Sequence, residues 1–138
     1  MAAYPFTALI TLAALGLYFY AGLQVGRARG RFGVEAPATH GHPEFERYFR
    51  AHMNMLEWLV IFIPVLWIAE AFNANWGPIS TALTTVLGVL WLVGRYLYMR
   101  DYVKDPKSRG RGFAVQALAT ALLFLMGLVG VGVDLIFP

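Results

Sequence analysis

Arg50, Asn54 and Glu57 recur at i, i+4 and i+7 within the stretch PEFERYFRAHMNMLEWLVIFIPVLWIAEAF, a spacing that sets all three on one face of a helix. A second polar face follows where Arg95, Tyr98 and Tyr102 stand at i, i+3 and i+7. With Arg29 and Arg109 at the same membrane depth, the chain offers several cations, a single acid at Glu57, an amide and two phenols. The complementary ligand carries a pair of carboxylates and an ammonium and leaves room for an apolar partner. The sequence holds no cysteine, which excludes disulfides, thiolate metal sites and a protein thiol nucleophile. Sulfur chemistry here requires a substrate sulfur. A cation beside such a thiol lowers its pKa from about 8.5 and raises the share of nucleophilic thiolate.

Glutathione fits that description, with its carboxylates on arginines, its ammonium on Glu57 and its thiol beside an arginine. Composition alone does not single it out. An acidic lipid headgroup satisfies the arginines equally and leaves Glu57 unexplained. Structural readings also stand: Arg50, Asn54 and Glu57 as a hydrogen-bond network between helices, Arg95, Tyr98 and Tyr102 as an interfacial belt, and Arg109 as a topology-setting loop charge. His40, His42 and His52 make a poor case for a metal site, with no cysteine to support them and a flexible loop carrying two of them.

These residues must be positioned by membrane helices. Hydrophobic residues make up 59% of the 138 and charged ones only 14%, a balance that fits a membrane chain better than an aqueous core. The composition predicts an all-α integral membrane protein, a single domain spanning 1–138, built as an up-down bundle of four transmembrane helices. Their approximate bounds are 5–25, 44–72, 79–102 and 113–137. The first lacks a basic segment before its apolar run, so it reads as a retained anchor rather than a cleaved signal. Gly22 and Gly26 near its end form a small-xxx-small pair.

A Gly- and Pro-rich basic loop, GRARGRFGVEAPATHGH, is expected next. The second helix opens with Pro43 at its first position and Glu44 and Glu46 in its first turn. From Glu46 to Phe72 it runs about 40 Å, longer than the roughly 30 Å hydrocarbon layer, so its first turns stand among headgroups and Arg47 and Arg50 stay wet. Asn54 and Glu57 lie deeper. An acid facing lipid there costs several kcal/mol, so this face is expected to point at protein or ligand. Pro64 lies mid-span, and Glu70 sits too far along to join the site. Asp105 and Pro106 are positioned to cap and start the fourth helix.

All lysines and arginines fall in two clusters, Arg27 to Arg50 and Arg95 to Arg111, each against a membrane-length segment. Orienting the spans explains them better than nucleic acid does, and no nucleic-acid partner is expected. The positive-inside rule puts both basic loops and the polar faces on the cytoplasmic side, and both termini opposite.

PEFERYFRAHMNMLEW and GRYLYMRDYVKDPKSRGRGF, with the patterns FERxxRAxxNxxE, RxxYxxxY and a DPKSRG loop, resemble the MAPEG family of membrane-associated proteins in eicosanoid and glutathione metabolism. The resemblance covers nearly the whole chain and looks closest to the microsomal glutathione transferase type 3 and bacterial branch. It implies a homotrimer with a glutathione site at each subunit interface. By position, Arg50, Asn54, Glu57, Arg95, Tyr98 and Tyr102 match family contacts, Trp58 stands where one member has a contacting tyrosine, and Arg29 and His52 match positions given by the neighbouring subunit. Arg109 falls where a thiol-activating arginine stands, with Arg111 competing.

The expected activity is a membrane-bound glutathione transferase acting on lipophilic electrophiles, with glutathione as co-substrate, no metal, and possible reduction of lipid hydroperoxides. The alternative is a non-catalytic lipid-binding scaffold, since the family includes the 5-lipoxygenase-activating protein. A small transporter requires polar residues at mid-bilayer, and helices one, three and four show few.

Overall fold

Prolines open three of the four long helices at positions where the missing N–H has no helical partner to lose. In this computed structural model, which describes residues 4–137, α1 spans Pro5–Phe32, α2 Pro43–Asn73, α3 Pro78–Lys104 and α4 Gly110–Ile136. Each is long and apolar enough to cross a membrane. A 3-10 turn at Ala74–Trp76 joins α2 to α3, and a second at Pro106–Arg109 leads into α4. α2 and α3 form the centre of the bundle, and α1 and α4 each pack on both. Leu9, Leu12, Phe19, Val60, Leu118 and Phe124 are exposed around the outside, an apolar surface far beyond what a soluble monomer presents.

Two boundaries differ from those expected. The sequence places the end of the first helix near Val25, yet α1 continues to Phe32 and carries Arg27, Arg29 and Arg31 on helix rather than loop. Glycine within a helix costs about 1 kcal/mol but does not break it, and Gly26 and Gly30 sit among arginine and alanine, which favour helix. The stop is Gly33, left-handed at φ 67°, whose N–H bonds back to the Arg29 carbonyl. At the other basic turn, the Asp105 side chain accepts from the Lys107 N–H at 3.0 Å. It thereby caps the 3-10 turn, and α4 begins directly after it at Gly110 rather than at Phe113.

Inside, Phe62 of α2 and Trp91 of α3 stack face to face at 3.8 Å and 4°. The closest helix crossing lies elsewhere than at the glycine pair the sequence suggests. Gly22 faces the His52 ring, and Gly26 has nothing within 4 Å of an added Cβ. Instead α3 and α4 meet at Gly94 and Gly112, where a Cβ on Gly112 would lie 2.2 Å from the Tyr98 nitrogen and 2.6 Å from the Gly94 carbonyl oxygen. Backbone touches backbone there, as in close crossings between membrane helices.

At the opposite end, Glu70 is fully buried and accepts a 3.0 Å hydrogen bond from Thr81 Oγ1. Asn73 Nδ2 donates to the carbonyls of Ala69 and Met126, which ties α2 to α4. Glu70 thus joins α2 to α3 within one chain, far from the other polar face.

Candidate functional site

The Gly94–Gly112 crossing brings α4 close enough for Gln116 to meet Arg95, and Arg95 is the hub of the polar residues. Its side chain is fully buried, at 0% exposure. One guanidinium nitrogen donates to Gln116 Oε1 at 2.9 Å. The other donates to Asn54 Oδ1 at 3.0 Å and to the Ala51 carbonyl at 3.4 Å, both on α2. A charge so deep in a membrane bundle is tolerated only because partners surround it. α2, α3 and α4 are thereby pinned at one level.

From this hub the contacts run both ways. Asn54 passes the connection outward, its Nδ2 donating to Glu57 Oε2 at 3.0 Å, while Arg50 Nη1 donates to Glu57 Oε1 at 3.3 Å. Helical spacing on α2 makes this triad, as the i, i+4, i+7 pattern requires. In the other direction the Arg95 guanidinium lies 4.5 Å from the Tyr98 ring centroid, Tyr98 stacks on Tyr102 at 5.6 Å, and the Arg109 guanidinium lies 5.6 Å from Tyr102. A continuous row of side chains therefore links Glu57 to Arg109. Trp58 sits one residue past Glu57 and packs edge-on against Phe113 of α4 at 5.7 Å.

Burial falls off along the row. Arg95 and Tyr98 are sealed, whereas the Arg50 and Glu57 side chains are 57% and 50% exposed. An ion pair that open adds little to stability. Glu57 lies about 21 Å along α2 from Pro43, within membrane depth, so its open side needs a ligand or another chain to cover it.

Arg29 and His52 are not part of this row. Arg29 donates to the carbonyls of Ala38 at 2.8 Å and Val34 at 3.4 Å, and its guanidinium rests 4.8 Å over Phe45, which fastens the 33–42 connection to α1 and α2. His52 stacks on Tyr18 of α1 at 4.5 Å. Arg111 lines a separate polar hollow with Arg100, Lys107 and Ser108, so of the two competing arginines it is Arg109 that touches the tyrosine pair. His42 accepts from the Glu44 N–H as the α2 cap and stacks on Phe32. Among the described residues no group of three His, Cys, Asp or Glu is arranged to hold a metal.

One contributor escapes a search for charged patterns, and a second does more than its pattern announces. Gln116 is the one amide in an otherwise largely apolar helix, and that is its only sequence signal. Arg47, expected to stay in water, donates to the carbonyls of Val103 and Lys104 and so caps the end of α3.

Four membrane-length helices enclosing an arginine network that opens toward one end define an integral membrane protein with a polar, cation-rich site. More narrowly, the chain belongs to the MAPEG family, whose model matches residues 7–129. It is 40% identical to human microsomal glutathione S-transferase 2 over 112 residues, covering 81% of this chain and 72% of that one. It is 37% identical to an uncharacterized protein of Synechocystis sp. over 124 residues (90% and 86%), and 34% identical to mouse leukotriene C4 synthase over 123 residues (89% and 78%).

Proposed function

We propose that this chain is a membrane-bound glutathione transferase that adds the glutathione thiolate to lipophilic electrophiles entering from the bilayer, with reduction of lipid hydroperoxides as a second outcome of the same thiolate. The observation that carries this reading is the unbroken row from Glu57 to Arg109. It sets an acid at one end for an ammonium, arginines along it for carboxylates, and a cation at the other end for a thiolate. The relatives named as a glutathione S-transferase and a leukotriene C4 synthase support it.

In this reading the protein supplies positioning and electrostatics. Glu57, steadied by Arg50 and Asn54, receives the ammonium; the open Arg50 is available to a carboxylate, while the sealed Arg95 acts through its charge and through Asn54; and Arg109 favours the ionised thiol over the neutral one. The half-exposed Glu57 side chain supports closure of the site by a neighbouring copy, in the homotrimer that membership of the family suggests; Arg29 and His52, the positions matched to the neighbour, keep their own-chain contacts in this reading and reach the site only with the groups those contacts leave free. The basic end faces the cytoplasm and the termini lie opposite.

Titration calorimetry of the purified protein in detergent is expected to show glutathione uptake, and Glu57→Gln to weaken it roughly tenfold or more, the usual cost of a charge-assisted hydrogen bond. Arg109→Ala is expected to lower conjugation of a generic aromatic electrophile about 100-fold while leaving glutathione affinity within a small factor. Unchanged turnover would transfer the thiol-activating role to Arg111. No uptake by the wild-type protein would leave the lipid-binding scaffold as the better reading.

A further inference from the structure

A hollow of about 200 Å³ opens between α1, α2 and α3 at the basic end, lined by Tyr20, Gln24, Tyr48, Tyr96, Arg100 and Lys104 over a floor of Ala21, Ala51 and Met99. It shares no lining residue with the Glu57–Arg109 row. On α3 the two sites use different faces: Tyr96, Arg100 and Lys104 follow each other at i, i+4 and i+8, while Arg95, Tyr98 and Tyr102 form the other stripe. We propose that this hollow binds the phosphodiester headgroup of an anionic membrane phospholipid.

Charge supports the assignment. Arg100 is held in a close pair with Asp101, at 2.7 Å between Nη2 and Oδ1, which nearly neutralises it. Lys104 has no ion-pair partner among the described residues. Beside it the Arg47 guanidinium caps the Val103 and Lys104 carbonyls, so the mouth of the hollow keeps a positive surplus. Basic pockets between membrane helices at this level suit anionic headgroups.

Shape and polarity narrow the ligand further. Tyr20, Tyr48 and Tyr96 ring the hollow with phenols, which suit an interface where one end of a side chain is wet and the other apolar. Tyr20 already accepts from Gln24 Nε2 at 2.5 Å, leaving its own O–H free to donate. A phosphodiester flanked by glycerol esters offers acceptors to such a ring, beyond the two oxygens of a fatty-acid carboxylate. One and two turns down α3 from Tyr96, Val93 and Val89 are exposed and give an acyl chain an apolar path along the helix. A freely soluble anion would gain nothing from that path.

The test is lipid retention by the full-length protein in detergent, read by native mass spectrometry after titration with phosphatidylglycerol, phosphatidylcholine, oleate or inorganic phosphate. Phosphatidylglycerol is expected to be retained roughly fivefold over phosphatidylcholine, the preference about one unpaired surface cation confers. Lys104→Gln with Tyr96→Phe is expected to reduce it to the phosphatidylcholine level while glutathione uptake and thermal midpoint stay unchanged. If that pair does not fold, Lys104→Glu alone is expected to abolish the preference. Equal retention of the two phospholipids, or a preference that survives both variants, overturns the proposal. Oleate or phosphate competing as well as phosphatidylglycerol, with the same sensitivity to Lys104, overturns the assignment to a phospholipid.

Discussion

Gly112→Ala is expected to keep the bundle from closing. The added methyl would stand 2.2 Å from the Tyr98 nitrogen, 2.6 Å from the Gly94 carbonyl oxygen and 2.7 Å from the Tyr98 Cα, and all three are backbone atoms. A side chain can rotate away from a clash; a helix backbone can only move as a body. Ordinary overpacking costs about 1–3 kcal/mol, and with no flexible neighbour the cost here should exceed about 4 kcal/mol. The expected outcome is loss of monodisperse protein on fluorescence-detected size exclusion.

Gly88 is the control. A methyl there would meet side-chain atoms only, Ile10 Cδ1 at 2.7 Å, Ile10 Cγ2 at 3.0 Å and Leu66 Cδ1 at 3.4 Å, and no backbone. Gly88→Ala is therefore expected to cost no more than ordinary overpacking, about 1–3 kcal/mol, and to remain monodisperse. Similar behaviour of the two variants would show that the α3–α4 crossing is not the rigid contact its geometry describes.

The second large effect is expected at Arg95. Arg95→Leu strips the donor from Gln116 Oε1, Asn54 Oδ1 and the Ala51 carbonyl, groups packed in or beside the core. The Ala51 carbonyl keeps its helical partner within α2, whereas Gln116 Oε1 and Asn54 Oδ1 are left without a donor; at about 1–3 kcal/mol each, a loss of several kcal/mol follows. Arg95→Lys keeps the charge but lacks the planar fork that serves Gln116 and Asn54 at once, and should recover only part of the loss.

Pairing the change with Gln116→Leu separates two roles. An apolar pair in place of a buried polar pair is often close to neutral, so the double variant should regain part of its thermal midpoint. On the proposed function its glutathione affinity should stay down about tenfold, because Asn54 remains unanchored and Glu57 with it. Recovery of both quantities together would reduce Arg95 to a structural role.

The spans were readable because apolar runs of membrane length and proline at helix starts are local signals. Pro43 opens α2 as its position suggests, and the spacing of Arg50, Asn54 and Glu57 gives the triad directly. What the residues did not announce depends on contact at a distance. Gly112 looks no different from Gly110 in a list of letters, yet Gly112 meets backbone while Gly110 meets nothing within 4 Å. Gln116 becomes meaningful only once that crossing sets α4 beside Arg95. The end of α1 differs from the expected one for a local reason: Gly26 and Gly30 resemble loop residues, and only Gly33 takes the left-handed turn that stops the helix. Arg29 shows the remaining ambiguity: a loop-side arginine can face a ligand or bind its own backbone, and here it holds Ala38 and Val34.

Trp91 gives the bundle a built-in optical gauge. Of the four tryptophans it alone has no exposed surface, and it lies flat against Phe62 between the two central helices. Brominated lipid or acrylamide can therefore dim Trp76 at the rim without reaching Trp91. Any opening of the middle of the molecule, by heat, detergent or passage of a bulky guest, should register as fluorescence newly accessible to those quenchers.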